Sequence, residues 1–260
     1  MNIPEIFLSQ SHPCDYLSGE ISQFLFLSPD QTLTIHTYSQ LVAQGFRRSG
    51  CLIYRPHCSS CHACIPARIP VDRFIPKRCQ KRTWHRNQDL KVIARSPEFY
   101  QEHYDLYIRY LQARHQDGNM VDSSPEDYLD FITCPWCETL FYEFRLGKAL
   151  LAVAVADLLE DGLSAVYTFF DPNQSRRGLG TFAILAEIEA VRRLELQYLY
   201  LGYWIENCAK MSYKTNFRPL EIFKDGYWLS GQGDRNQQMR HYIDSQHQRT
   251  SSIPFSSEEP

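Results

Sequence analysis

The chain has 260 residues, 43% of them hydrophobic and 22% charged, which suits a globular protein with its own core, and no apolar run is long enough to span a membrane. Nine cysteines, an odd number, and the lack of an apolar segment behind a basic N-terminus argue against secretion, so we expect a protein of the reducing cytoplasm. The net charge of −3 is unevenly distributed, because residues 1–100 carry 12 Lys and Arg against 7 Asp and Glu while the remainder is acidic.

The first part of the chain predicts short strands and one helix. Residues 1–36 contain short apolar stretches, IFLS and FLFLS, that are separated by Pro, Gly and Asp. Thr37 is a predicted N-cap for a helix with the sequence YSQLVAQ, and Gly45 is typical of the position just beyond a helix. The segment CLIYR then predicts a strand that leads into a group of cysteines.

Cys58, Cys61 and Cys64 form a C-x-x-C-x-x-C run, which is the strongest chemical signal in the sequence. Closely spaced thiolates are the ligands of zinc and of iron–sulfur clusters, and one more ligand completes a tetrahedral site. Cys14 is the nearest remaining cysteine upstream and Cys79 the nearest downstream. The alternative, three small buried apolar side chains, fits a lone cysteine better than three in seven residues. We therefore expect a metal or cluster site.

A basic segment follows, from Arg73 to Lys91, in which Trp84 and His85 lie among the cations. This mixture suits nucleic-acid phosphates and an exposed base, although a solvated helix or strand face has the same composition. The predicted nucleic-acid-binding residues are Arg78, Lys81, Arg82 and Arg86.

Ser96 and Pro97 then predict the start of a long helix that ends near Gly118. Its predicted apolar stripe consists of Phe99, His103, Leu106, Tyr107, Tyr110 and Leu111.

The second half predicts an α+β arrangement. Ser124 and Pro125 open a short helix, and the segments ETLFYEF, ALLAVAVAD and LSAVYTFF predict three strands, the last two forming a hairpin through Asp161-Gly162. A loop, DPNQSRRGLG, precedes the helix TFAILAEIEAVRRLEL, a strand QYLYLGY, a short helix around CAKMSYK and a last strand near LEIF. This order is that of the N-acetyltransferase (GNAT) fold. Residues 231–260 are polar and predict a disordered tail.

The turn before the long second-half helix is a candidate anion site. Arg176 and Arg177 add charge, and Gly178 and Gly180 let a backbone approach the first helical N–H groups. Acyl-CoA enzymes have Arg or Gln three residues before the first glycine, whereas this chain has Ser175, which favours another donor. The alternative is a Gly-containing loop that only makes a turn.

The run from Tyr38 to Leu90, together with YTFFDP (residues 167–172) and YLYLGYWIENCAKMSYKTNFRP (residues 198–219), resembles the arginyl-tRNA–protein transferase family. The similarity covers most of residues 12–230 and is greatest to bacterial members, which transfer leucine to proteins that begin with Asp or Glu and so mark them for degradation. It implies Leu-tRNA and such proteins as partners, no ATP, a degenerate GNAT-like N-terminal half, and Cys14 as the fourth metal ligand. Predicted regions are residues 1–95, residues 96–230 with the catalytic GNAT-like domain, and the tail.

The matching motifs supply candidate catalytic residues for attack of an α-amine on an activated ester. They are Asp171, Tyr203, Lys210, Tyr213 and Lys214, with Tyr167 at the donor site. Arginine binds a carboxylate through two hydrogen bonds, so the acceptor's acidic side chain is assigned to arginines that flank the cysteines, with tRNA phosphate as the alternative ligand. These are Arg47, Arg48 and Arg55.

Alternatives remain open. Each tyrosine also fits an aromatic core, Asp171-Pro172 also fits a turn, and Cys134 and Cys137 form a second C-x-x-C to which the resemblance assigns no role. Other functions to be tested are arginyl transfer, acyl-CoA-dependent N-acetylation, and RNA binding without catalysis.

Overall fold

The structure is a computed structural model that describes residues 5–28, 33–114 and 122–230. The predicted tail and the predicted helix end near Gly118 lie outside these residues. The strands are β1 (Ile6–Leu8), β2 (His12–Pro13), β3 (Ile21–Ser22), β4 (Phe24–Leu27), β5 (Arg47–Ser49), β6 (Leu52–Pro56), β7 (Ile65–Pro70), β8 (Lys91–Arg95), β9 (Thr139–Leu146), β10 (Ala149–Leu158), β11 (Gly162–Phe170), β12 (Tyr198–Trp204), β13 (Glu221–Lys224) and β14 (Tyr227–Ser230). The helices are α1 (Ile35–Ala43), α2 (Arg78–Arg86), α3 (Gln101–Arg114), α4 (Pro125–Ile132), α5 (Leu179–Arg193) and α6 (Ala209–Ser212).

An eight-stranded sheet forms the centre of this mixed α/β fold, with the order β14-β13-β7-β12-β11-β10-β9-β8. Its neighbouring strands pair antiparallel except for β11 and β12, which are parallel. Strand β7 comes from the first third of the chain but lies between β12 and β13 from the last third. The sheet therefore unites strands from both predicted halves.

Helices cover both faces of this sheet. On one face α5 packs through Phe182, Ile188 and Val191 against alternate small residues of β10, and on the other α3 and α4 cover Val153, Val155 and Phe169. Because successive residues of a strand point to opposite faces, β10 can serve both layers with its continuous apolar sequence. In the described part of the chain, no helix has the length and apolar character needed to cross a membrane.

A smaller sheet, with the order β1-β4-β6-β5, joins the large one through α1 and a third apolar cluster. Tyr38 of α1 and Tyr200 of β12 both belong to this cluster. A buried ion pair reinforces the junction, since Arg48 of β5 donates to both carboxylate oxygens of Asp157 in β10 at 2.6 Å. The same carboxylate accepts hydrogen bonds from Tyr38 and Thr139.

The structure confirms most predicted elements of the second half and corrects three others. Thr34 caps α1 in place of Thr37, because its side chain accepts from the Thr37 N–H. Helix α3 begins at Gln101 and not at Ser96-Pro97, which lies in the connection after β8. The Tyr100 carbonyl accepts the first hydrogen bonds of the helix. Strand β14, which is not predicted from the sequence, returns from β13 through Asp225-Gly226.

Candidate active site

Strands β11 and β12 diverge in the middle of the large sheet and leave a cleft between them. Their parallel pairing covers three residues on each strand and ends at Ser164 and Tyr200, although both strands continue. Beyond this point β11 pairs only with β10, and β12 only with β7. We call the space between residues 165–170 of β11 and residues 201–204 of β12 the strand cleft.

Arg47 of β5 fills the closed end of the strand cleft. Its guanidinium donates to the Ser164 hydroxyl at 3.0 Å and to the Ala165 carbonyl. On the other side it lies against Gly202, where an added Cβ would be 3.2 Å from the guanidinium carbon. Glycine is thus needed at position 202 for two reasons: the Arg47 guanidinium lies close to its Cα, and its φ of +73° disfavours other residues. A recess beside Arg47 is lined by Phe46, Ala67 and Trp228, and Arg47 supplies its charged group.

Lys214 is a second buried cation near this position. It follows α6, is 4% exposed, and its Nζ donates to the Tyr203 carbonyl. Burial, together with the positive charge of Arg47, lowers the pKa of Lys214 to about 7. Across residues 5–28, 33–114 and 122–230, no carboxylate lies within salt-bridge distance of either Arg47 or Lys214. Two buried cations without a counter-ion make a site that favours an anion.

Aromatic residues form the walls of the strand cleft. Tyr167 packs its ring against Tyr107, Tyr110 and Phe131 at centroid distances of 5.2 to 6.4 Å. Tyr213 keeps 43% of its surface exposed, but loss of water around its hydroxyl raises the pKa to about 12, with added effects from the charges of nearby groups. An apolar wall of this kind suits an uncharged side chain.

The other predicted catalytic residues have different surroundings. The Tyr203 hydroxyl is buried and donates to the Gly45 carbonyl at 2.9 Å, so it ties β12 to the N-terminal part. Asp171 accepts from the Asn173 N–H and begins a 3-10 turn (Pro172–Arg177), which is the turn chemistry that the sequence also allowed. Lys210 is exposed on α6. The charge of Arg47 acts on three of the five predicted catalytic residues, namely Tyr203, Tyr213 and Lys214.

The three predicted acceptor-binding arginines are separated by the structure. The Arg48 side chain is completely buried and its guanidinium is paired with Asp157, so it does not face the strand cleft as a free cation. Arg55 is half-buried, and its guanidinium lies 4.8 Å from the centre of the Phe46 ring. Arg47 is therefore the member of the trio that reaches the strand cleft.

The predicted donor turn and the basic helix lie side by side. The Arg86 side chain donates to the Arg176 carbonyl, and the Asn87 amide donates to the Arg177 carbonyl at 2.9 Å. Arg177 itself is paired with Asp89, whereas the Arg176 side chain is exposed. Gly178 takes a left-handed conformation, with φ +67°, at the start of α5, and Gly180 lies in the first turn of that helix.

One face of α2 is a basic surface next to this turn. Arg78, Lys81 and Arg82 are exposed along it, and no carboxylate in the described ranges pairs with them or with Arg86. Trp84, which the sequence offered as a stacking platform, instead packs on Phe182 of α5 at 5.3 Å. The helix thus presents charge without that aromatic ring.

The cysteine run lies in the loop between β6 and β7, beside the end of β12. Burial, together with the charges of Cys14, Cys58 and Cys61, raises the pKa of the Cys64 thiol to about 12. The four thiols therefore lie near one another. Among the described residues, the group of potential ligand atoms that come within 4.8 Å of one another is that of Glu102, His103 and Glu143, so the four sulfurs are further apart than this. Cys79 lies on α2, whereas Cys208, which is not predicted from the sequence, is a fifth neighbour of Cys64.

Cys134 and Cys137 lie between α4 and β9. Cys134 is buried, and contact with Cys137 lowers the pKa of its thiol. The intervening Trp136 packs on Tyr38 with ring centres 4.9 Å apart, so the segment belongs to the junction of the two sheets and not to the strand cleft.

Comparison with known proteins gives a consistent result. Two family models match, described as arginine-tRNA-protein transferase, N terminus (residues 12–82) and C terminus (residues 102–224). An aspartate/glutamate leucyltransferase of Nitrosococcus oceani is 55% identical over 86% of this chain and 94% of its own length. One of Pseudomonas putida is 50% identical over 87% and 96%. Among solved structures, L-PGS from Bacillus licheniformis aligns with a TM-score of 0.48 at 11% identity, over 71% of this chain and 64% of that one.

Proposed function

The chain belongs to the arginine-tRNA-protein transferase family, and we propose that it transfers leucine from Leu-tRNA to the N-terminal amine of proteins that begin with Asp or Glu. Two relatives that match this chain over 94% and 96% of their own length are named aspartate/glutamate leucyltransferase. The observation that supports the acidic acceptor is the pair of buried cations, Arg47 and Lys214, which lack a carboxylate partner in the described residues.

The proposed acceptor site combines charge and position. A bound Asp or Glu side chain would supply the missing anion to Arg47, and charge-assisted hydrogen bonds to a buried guanidinium contribute about 1.5–3 kcal/mol each. The same contact would place the acceptor's α-amine in the strand cleft, close to Tyr213 and Lys214. Positioning of this kind supplies much of the rate when the donor is already activated.

The reaction needs a new amide bond and the loss of an ester bond. The free α-amine attacks the leucyl carbonyl, the C–N bond forms, the C–O bond to the tRNA ribose breaks, and the amine's proton ends on the ribose oxygen. An α-amine has a pKa of about 7.7–8.0, which is close to neutral pH, so little energy is needed to deprotonate it. With a pKa of about 7, Lys214 can accept or donate a proton at neutral pH.

Leucine suits the strand cleft better than arginine does. An arginyl side chain needs a carboxylate partner because an unpaired buried guanidinium is costly to desolvate. Asp157, one acid that could provide it, is already paired with Arg48, and Asp171 is bound to its own turn. The walls are otherwise aromatic and aliphatic.

The tRNA would bind along α2. Its exposed cations lie beside the turn before α5, so phosphates on this surface would lead the acylated end toward the helix N-terminus and the strand cleft. Strands β11 and β12, which flank α5 in the chain, are parallel and then diverge, and this feature also supports a GNAT-like catalytic fold. The expected cytoplasmic location fits the nine cysteines, none of which is in a disulfide in the described residues.

The first prediction is that labelled leucine passes from Leu-tRNA to peptides that begin with Asp or Glu and not to those that begin with Ala or Lys. The test incubates the protein with Leu-tRNA, Arg-tRNA or acetyl-CoA and one peptide at a time. Faster transfer of arginine than of leucine would show that Leu-tRNA is not the preferred donor. Transfer from acetyl-CoA alone would contradict the family function.

Arg47 variants provide the matched test of the acceptor site. Arg47→Gln should lower kcat/KM for an Asp-starting peptide by roughly 10- to 100-fold, mainly through KM. Arg47→Lys keeps the charge and should restore part of the loss. Arg193→Gln, which removes an exposed arginine of α5, serves as the control. An Arg47→Gln protein with unchanged KM would place acceptor recognition elsewhere, with Arg55 as the next candidate.

We also propose that the cysteine neighbourhood holds zinc or an iron–sulfur cluster. Thiolates are the preferred ligands of both, and Cys58, Cys61, Cys64 and Cys14 would be drawn together around the metal. The group would act as a clamp on the loop that precedes β7 and on the segment that carries Cys14. No step of the proposed reaction depends on it.

The second prediction concerns this metal. Protein purified without oxygen should contain zinc or iron in stoichiometric amount, and Cys61→Ser should lose it. Cys79→Ser is the matched control, because Cys79 lies on α2 and should not affect the content. Comparison of Cys14→Ser with Cys208→Ser identifies the fourth ligand. Metal analysis and visible absorption provide the readout, and a metal-free protein whose Cys61→Ser variant is fully active would leave these residues as ordinary packing.

A further inference from the structure

Glu187 is an unexpected residue on the buried side of α5. It is 1% exposed, and neither of its carboxyl oxygens has a hydrogen-bond partner in the described residues. Its helical neighbours toward the sheet, such as Ala183, Ile184, Ile188 and Val191, are apolar core residues. A carboxylate that lacks water, donors and an ion pair is so costly that the group keeps its proton.

The charged and titratable groups around Glu187 come from three other elements. Arg47 of β5 is the cation that acts on the pKa of Glu187, and Tyr142 of β9 and Tyr213 are the hydroxyl groups whose pKa values respond to its charge. Burial raises the pKa of Glu187 to about 8, while Arg47 opposes this shift. The charge of Arg47, which closes the strand cleft, therefore acts on Glu187, although the two side chains do not form an ion pair.

We propose that Glu187 is a positioning residue that acts through Arg47 and sets the charge of the strand cleft. With its proton, Glu187 leaves the positive charge of Arg47 available to an acidic acceptor. Without its proton, it neutralises that charge and weakens acceptor binding. The inference rests on the proposed function, because it assigns the charge of Arg47 to recognition of the acceptor's carboxylate.

The expected consequence is a loss of acceptor affinity in alkaline solution that the Glu187→Gln variant escapes. Glutamine has the shape of the protonated acid and cannot ionise. The ratio of kcat/KM for one Asp-starting peptide, variant over wild type, should be close to one at about pH 6.5 and rise to about ten at about pH 9. Because both proteins receive the same peptide, the titrations of its α-amine and of Lys214 largely cancel in this ratio.

Glu189→Gln is the matched control, since Glu189 lies on the same helix but is only half-buried and is paired with Arg193. Its ratio to wild type should stay near one at every pH. The gain of Glu187→Gln should appear in KM, since it acts on the charge that holds the acceptor. A gain confined to kcat, or a flat ratio, would overturn the role of Glu187.

Separate outcomes test the transfer activity and the role of Glu187. Wild-type protein that transfers no leucine to an Asp-starting peptide at about pH 6.5 would contradict the proposed function itself. Wild-type transfer with indistinguishable pH profiles for the two proteins would leave the function standing and reject only the part assigned to Glu187.

Discussion

Replacement of Arg48 by methionine should lower the free energy of unfolding by about 3–5 kcal/mol, because it leaves the Asp157 carboxylate buried without its cation. Both side chains are completely buried, and the two hydrogen bonds that Asp157 accepts from Tyr38 and Thr139 do not remove its charge. Burial opposes the charge of Arg48, but its hydrogen bonds to this carboxylate raise the pKa of Arg48 above its usual value, so the guanidinium stays charged. Urea denaturation followed by circular dichroism measures the loss.

Two further variants test the explanation. Arg48→Met combined with Asp157→Leu removes both charges and should recover most of the stability, since replacing a buried pair by apolar residues is often neutral. Arg193→Met breaks an exposed pair and should cost less than about 1 kcal/mol. A stable Arg48→Met protein that had lost its preference for acidic acceptors would return Arg48 to the role that the sequence suggested.

Glu187 should make the protein progressively less stable as the pH rises from about 5 to about 8, and Glu187→Gln should remove this contribution. The carboxyl has a pKa of about 8 in the folded chain against 4.5 as its ordinary value, so the folded state binds the proton more tightly over this window. Unfolding then releases a proton, and each pH unit costs the wild type about 1.4 kcal/mol relative to the variant, about 4–5 kcal/mol in total.

Denaturation curves at several pH values measure this difference without any substrate. The unfolding free energies of Glu187→Gln and wild type should agree below about pH 4.5 and diverge until about pH 8. Glu189→Gln should follow the wild type throughout. Parallel profiles for wild type and Glu187→Gln would mean that the carboxyl is solvated in solution, which would also remove the basis for its proposed effect on Arg47.

Local signals explain the parts of the fold that the sequence predicted. Ser124 and Pro125 open α4, with Ser124 accepting from the Asp127 N–H, and Asp161-Gly162 joins β10 to β11. Both features depend on residues a few positions apart. The position of β7 depends on partners more than 120 residues further along the chain, so no local pattern could have indicated it.

The candidate site shows the same limit at the level of single residues. Arg47 and Arg48 are adjacent in a strand, so they must point to opposite sides, but the sequence does not say which side holds Asp157 and which holds the strand cleft. The place of Tyr203 at the end of a strand suggests a catalytic role, yet its hydroxyl donates to the Gly45 carbonyl. The sequence does carry a signal for Glu187, because AILAEIEAV has an acid at a core position of the predicted helix.

The place of β7 in the large sheet has a consequence for synthesis on the ribosome. The strand leaves the exit tunnel early, but β12 starts at Tyr198 and β13 at Glu221, so its two neighbours do not exist until most of the chain has been made. At about 5–20 residues per second, the wait amounts to roughly 6–30 s. During that time the backbone hydrogen-bonding groups along both edges of β7 are unpaired and open to chaperones, proteases and other nascent chains. Premature termination before residue 221 would therefore release a product that cannot complete its central sheet.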